Sequence, residues 1–245
     1  MAQYQTARAT AGVRTAQIDE GLRAHMNKVY GTMSVGLLVT AGVAWAVGSS
    51  DALLSVFRDP ATLQPNILGW IAMFLPLIMV FAFGAMINRL SAAGAQTFFY
   101  VFAAAMGLSI SWIFAAFTGI SIAQTFLVTS ISFAGLSLWG YTTKKDISAW
   151  GSFLIMGLIG LIVASIVNIF LGSPAIHFAI SVIGVLIFAG LTAYDTQKIK
   201  TDYIAHAHAM DDEWLAKSAI MGALNLYLDF INLFMFLLQF LGNRE

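Results

Sequence analysis

Asp195 and Asp229 are the residues of this sequence with the clearest capacity for chemistry, because each falls in or at the end of a long apolar run. Asp229 stands about 11 residues into the run Ala219–Leu241, near the depth of a bilayer midplane. An ionised side chain at that depth costs several kcal/mol unless it is paired or hydrated. Asn225, Asp229, Asn232 and Gln239 follow one another at spacings of 4, 3 and 7, which puts them in one stripe along a helix. Leu226, Phe230, Leu233 and Leu237 make the opposite face. Such a stripe must turn toward protein or water, so the last helix is expected to be enclosed by the others.

Asp195 lies in Ala-Tyr-Asp-Thr-Gln-Lys at the end of the sixth apolar run. If that helix continues to about Tyr203, Asp195 sits inside the bundle at a depth that Asp229 can reach. Two carboxyl groups brought together there cannot both ionise cheaply, and they titrate as a unit. Protonated, they share a hydrogen bond and hold two helices together. Deprotonated, they repel, and their oxygens suit a hard cation such as calcium. The alternative is a structural pairing of Asp195 with Arg89, at the end of the second run, or with Lys198 one turn on.

Other polar groups give weaker signals. His206 and His208 lie near Asp211, Asp212 and Glu213, but a loop with lysine nearby reads as a solvated connector. The hydroxyls of Thr125, Thr129 and Ser132 are expected to bond their own helix. His177, Trp70, Trp112, Trp139 and Trp150 fall near run ends, as interfacial residues do. There is no Gly-x-Ser-x-Gly elbow and no His-Glu-x-x-His pair. An intramembrane aspartyl dyad is the one hydrolase reading left, and nothing around either aspartate supports it. The chain is therefore expected not to be an enzyme and to need no cofactor.

The elements that position these residues follow from composition. Of 245 residues, 59% are hydrophobic and 10% charged, with mean hydropathy +0.82. A soluble domain carries roughly a quarter charged residues, so this surface faces lipid. Zero net charge offers nothing to a nucleic acid, and the absence of cysteine removes disulfides, thiolate metal sites and cysteine nucleophiles. Apolar runs at Tyr30–Val47, Ile67–Ile87, Gln96–Phe117, Ile122–Trp139, Ala149–Leu171, Ile176–Asp195 and Ala219–Leu241 each match a ~30 Å hydrocarbon core at ~1.5 Å per residue. The expected fold is an all-α integral membrane protein: residues 1–28 as a polar cytosolic tail, then a seven-transmembrane-helix bundle over 29–242. The tail lacks the apolar core of a cleaved signal peptide.

Short connections at Gly119–Ser121 and Gly172–Ala175 make their flanking spans antiparallel neighbours. Lysine and arginine divide ten against two between the sides, with only Arg58 and Arg244 on the poorer one. The positive-inside rule then puts the N-terminus in the cytoplasm and, after seven spans, the C-terminus outside. Ala103, Gly107, Ser111 and Ala115 give the third span a small-residue face for close packing, and Gly157 and Gly160 are expected to do the same for the fifth.

Two segments carry a resemblance. Phe188-Ala-Gly-Leu-Thr-Ala-Tyr-Asp-Thr-Gln-Lys-Ile-Lys200 and Ala223-Leu-Asn-Leu-Tyr-Leu-Asp-Phe-Ile-Asn-Leu-Phe234 resemble the paired signature of the transmembrane Bax inhibitor motif family (Bax inhibitor-1-like). The likeness extends over roughly residues 20–242, and the stretch at 91–96 looks like that of a bacterial member. It implies a pH-sensitive calcium leak channel of the bacterial cytoplasmic membrane. Asp195 and Asp229 would be its sensor and latch, Arg89 a gating residue, and Asn225 and Asn232 their support. The second span carries no acidic residue, unlike that of some relatives. Two other functions fit the same sequence. One is an interaction protein that restrains a membrane protease or other complex through the N-terminal tail. The other is a proton-coupled exporter of a small solute.

Overall fold

The computed structural model describes residues 2–59 and 61–243, with side chains from Asp19 onward. Arg244 and the side chains of Arg8 and Arg14, which entered the charge count, lie outside the described residues. The chain folds as nine helices among those described: α1 (Ala2–Gly48), α2 (Asp51–Phe57), α3 (Ile67–Met86), α4 (Ala92–Ile110), α5 (Ile113–Ala116), α6 (Gly119–Thr142), α7 (Ser148–Leu171), α8 (Pro174–His206) and α9 (Asp212–Leu241). Seven segments are long and apolar enough to cross a membrane, with α4 and α5 together forming the third.

Helix ends follow local chemistry. Ser50, Asn66, Ser91, Thr118, Ser173 and Asp211 each accept a hydrogen bond from a backbone N–H in the first turn of the helix they begin. Such caps satisfy donors that have no partner within the helix. The α7–α8 turn shows the principle in two residues. Gly172 ends α7 in the left-handed region at φ 59°, Ser173 caps α8, and Pro174 opens it. The turn before α6 is Phe117–Thr118, so Gly119–Ser121 form its first turn and not a connection. Thr118 moves the boundary by taking the cap.

The small face of the third span does what its spacing implies. A Cβ on Gly107 would lie 2.5 Å from the Thr40 carbonyl, and the Thr40 hydroxyl donates to the Ala103 carbonyl at 2.8 Å. Thus α4 meets α1 nearly backbone to backbone. The fifth span is different: Gly157 faces Ile187 of α8, whereas Gly160 has open space beside it. Gly160 is a lipid-side residue, and the expected pairing of the two glycines fails because α7 packs along one edge only.

The first span has no break between tail and membrane segment. Helix α1 runs on through both, and its side chains enter the core from Leu22, with His25, Met26 and Val29 also buried. The core is centred on α9, which packs against α1, α4, α6 and α8. Of the seven spans, α9 has the largest buried share, 61%, and α7 the smallest, 11%.

Candidate functional site

Asp195 sits on α8, which continues eleven residues past it to His206. Asp229 sits on α9 and is 4% exposed. The two carboxyl groups face each other across the α8–α9 interface, close enough to share a hydrogen bond when one holds a proton. The Oδ2 of Asp229 is buried without another partner among the described residues. Lys198 is the cation whose field reaches Asp195.

Helix α8 is held in register by contacts on both sides of Asp195. Gly140 of α6 lies against the Ala193 carbonyl with no room for a Cβ. One turn further, the Ser137 and Thr196 hydroxyls are 2.9 Å apart, and Tyr30 of α1 meets Ser137 at 2.5 Å. Gln197 clamps the α6–α7 loop, accepting from the Ile147 N–H at 3.0 Å and donating to the Lys145 carbonyl at 2.9 Å. The Lys200 ammonium donates to the Tyr141 carbonyl at 2.6 Å. A segment with donors and acceptors fixed on α6 and on the α6–α7 loop cannot slide without leaving buried groups unpaired.

Helix α9 is anchored at its start and its middle. Glu213 accepts from the Ala92 N–H at 2.6 Å, and Lys217 donates to the Leu90 carbonyl at 3.2 Å. The acidic residues near His206 and His208 are therefore used in helix ends, with Asp211 as the α9 cap. Two residues before Asp229, Tyr227 and Thr40 join by their hydroxyls at 2.5 Å. The Tyr227 ring lies edge-on to Phe99 and Phe102, both with centroids 5.6 Å away. Phe230 packs on Phe126 at 5.4 Å and Phe133 at 5.5 Å.

The supporting residues divide. Asn232 donates to the Leu228 carbonyl of its own helix at 2.8 Å, and Gln239 receives the Ser181 hydroxyl of α8 at 3.4 Å. Asn225 is partly buried on the same stripe. Arg89 is not brought to the pair: it is exposed in the turn after α3, and α3 packs on α2 and α4. Among the hydroxyls of the fourth span, Thr129 donates to the Thr125 carbonyl at 2.7 Å, as a helix-bonded threonine does.

Among the described residues no three His, Cys, Asp or Glu side chains gather as a metal cluster. Calcium ordinarily takes six to eight oxygens, so two carboxyls suit a passing cation better than a resident one. The residue that sequence reading missed is His25. Its ring is 7% exposed, stacks on Tyr203 of α8 at 4.7 Å, and has a buried Nε2 with no partner among the described residues. A histidine three residues after Leu22 and one before Met26 was the available signal, hidden by reading residues 1–28 as a solvated tail.

The chain is similar to known proteins over nearly its whole length. The family model described as inhibitor of apoptosis-promoting Bax1 matches residues 22–245. Inner membrane protein YbhL of Escherichia coli K12 is 46% identical over 225 residues, covering 92% of this chain and 94% of its own length. A Caulobacter vibrioides protein is 45% identical over 232 residues, covering 93% and 92%. Protein RP147 of Rickettsia prowazekii is 43% identical over 236 residues, covering 96% of each.

Proposed function

We propose that this chain, which belongs to the Bax inhibitor-1 family, is a pH-sensitive calcium leak channel latched by Asp195 and Asp229. The observation that carries the reading is the facing of two carboxyls across the α8–α9 interface, with Asp229 almost wholly buried. A function without a use for charge would not keep two acids together in the interior of a membrane bundle. The inner-membrane location of its Escherichia coli relative supports the bacterial cytoplasmic membrane as its site. The excess of lysine and arginine on the tail side supports a cytoplasmic N-terminus.

The mechanism is electrostatic. With one proton between them, the carboxyls form a hydrogen bond that ties α8 to α9 and leaves a single negative charge, spread over the pair, for a cation. Loss of that proton puts two negative groups side by side at low dielectric, where repulsion is strong. The helices then separate or the charge recruits a divalent cation, and both outcomes favour calcium passage. Apart from the carboxyl proton, which passes to water, no covalent bond forms or breaks, so the proposed activity is passive and non-enzymatic.

The test is calcium entry into liposomes holding the purified protein. Flux is expected to rise as the pH is raised through neutrality. In Asp195→Asn or Asp229→Asn an uncharged amide keeps the hydrogen bond at every pH, so the response goes flat. Absence of calcium flux at any pH would overturn the proposal. Solute movement driven only by a proton gradient, without calcium, would instead establish the exporter reading.

A further inference from the structure

A large cavity among the described residues is lined by neither Asp195 nor Asp229. It is a groove of about 730 Å³ between α1 and α6, open on the lipid side and floored by Met33, Phe133 and Phe230. Leu38 and Leu138 form its lips and are 72% and 62% exposed. Small residues explain the gap. Ser34 on α1 faces Ser130 and Ala134 on α6, and none is large enough to close it.

The two ends of the groove differ. Arg23 and Asn27 line one end, together with Tyr141, and the Lys200 ammonium stands 5.2 Å from the Tyr141 ring. The other end, by Ala41 and Phe126, is apolar. From Arg23 to Ala41 the helix rises roughly 27 Å, enough for a long acyl chain and its headgroup. Two further grooves face lipid, of about 450 Å³ and 440 Å³, and neither has a charged side chain in its lining. Cationic charge is thus attached to one of three otherwise similar apolar grooves.

We infer that the α1–α6 groove binds one anionic phospholipid from the leaflet on the Arg23 side, with an acyl chain along the groove and its phosphate at Arg23. Basic pockets between membrane helices recognise lipid phosphates by charge, and an arginine fork suits a phosphate oxygen pair. The groove's volume is in the range of specific small-molecule sites. Its polar end fits the headgroup and its apolar end the chain, which fixes the direction of binding. The floor also touches the gating helix. Tyr30 and Ser137 line the groove, and Ser137 is hydrogen-bonded to Thr196, the neighbour of Asp195.

The experiment reconstitutes the full chain with phosphatidylglycerol, phosphatidylethanolamine or palmitate in equal amounts, extracts it in mild detergent, and counts retained lipid by native mass spectrometry. One phosphatidylglycerol per chain is expected, in preference to the other two. Arg23→Gln is expected to weaken retention about fivefold, and Ala134→Trp, which fills the groove, to abolish it. A photoreactive acyl chain on phosphatidylglycerol provides a readout that needs no variant. Its crosslinks should concentrate on α1 and α6 at the groove and be sparse on the exposed face of α7. Equal retention of phosphatidylethanolamine, preferential retention of palmitate, full retention by Ala134→Trp, or crosslinks spread evenly over α7 would each overturn the inference.

Discussion

Helices α7 and α9 cross the same slab of lipid in opposite styles. Helix α7 is the most hydrophobic of the seven spans and has the smallest buried share, whereas α9 carries Asn225, Asp229 and Asn232 and has the largest. In water the order would be reversed. Here the solvent is hydrocarbon, so burial against protein is the destination of polar groups and exposure is cheap for leucine and isoleucine. Phe170 and Ile169 of α7 are 85% and 78% exposed without cost. The interior of this bundle is therefore where its chemistry must be sought.

Truncation gives the largest test of that contrast. Leu226→Ala on α9 removes a side chain with no exposed surface and should cost about 2–5 kcal/mol, as cavities in packed cores do. Ile159→Ala on α7 removes one that faces lipid, and lipid fills the space, so a change within about 0.5 kcal/mol is expected. Equal losses on reversible unfolding in bicelles would break the comparison. Next in size is Gly140→Ala, whose new Cβ meets the Ala193 carbonyl and must push α6 from α8. A loss of about 1–3 kcal/mol follows, together with a changed pH response of the proposed leak.

Tyr227→Phe sharpens the comparison at one bond. It leaves the ring edge-on to Phe99 and Phe102 but removes the hydroxyl that meets Thr40. About 1 kcal/mol should be lost, and Thr40→Val with Tyr227→Phe together should cost less than the two singly. The smallest effect lies outside the bundle. Asp59 accepts from the backbone N–H of Ala61 and Thr62 and from the Thr62 hydroxyl, and these bonds hold its carboxyl below its usual range. A group lowered on folding stabilises above its unfolded value and loses that contribution as pH falls through the folded one. Protection of the Ala61 and Thr62 amides against hydrogen exchange should therefore fall only in acid, and Asp59→Asn should remove that pH dependence.

Much of the fold was legible because lipid imposes a crude and reliable rule. Seven apolar runs became seven candidate spans, the third built from α4 and α5, and most of their ends needed only cap chemistry to be placed. The small face of the third span was readable from residue types alone, whereas the continuation of α8 to about Tyr203 entered only as a condition, which the helix meets by running to His206. What escaped was what depends on which helix lies beside which. Arg89 matched a position in the chain but ended exposed in the turn after α3, which meets only the start of α9, at Lys217 and Glu213, and not the aspartate pair. His25 looked like tail and became core. Gly157 and Gly160 looked alike and were separated by the path of one neighbour.

The sequence by itself determined that the chain lives in a bilayer and that Asp195 and Asp229 are costly there, because both follow from transfer of side chains out of water. Only the tertiary structure decided that the two carboxyls meet, that Arg89 does not join them, and that α1 and α6 stand apart around a groove. Those outcomes depend on the approach of helices far apart in sequence, which is set by contacts such as Gly107 on Thr40 and Gly140 on Ala193. Hydropathy is summed along one helix, whereas a site is made between two.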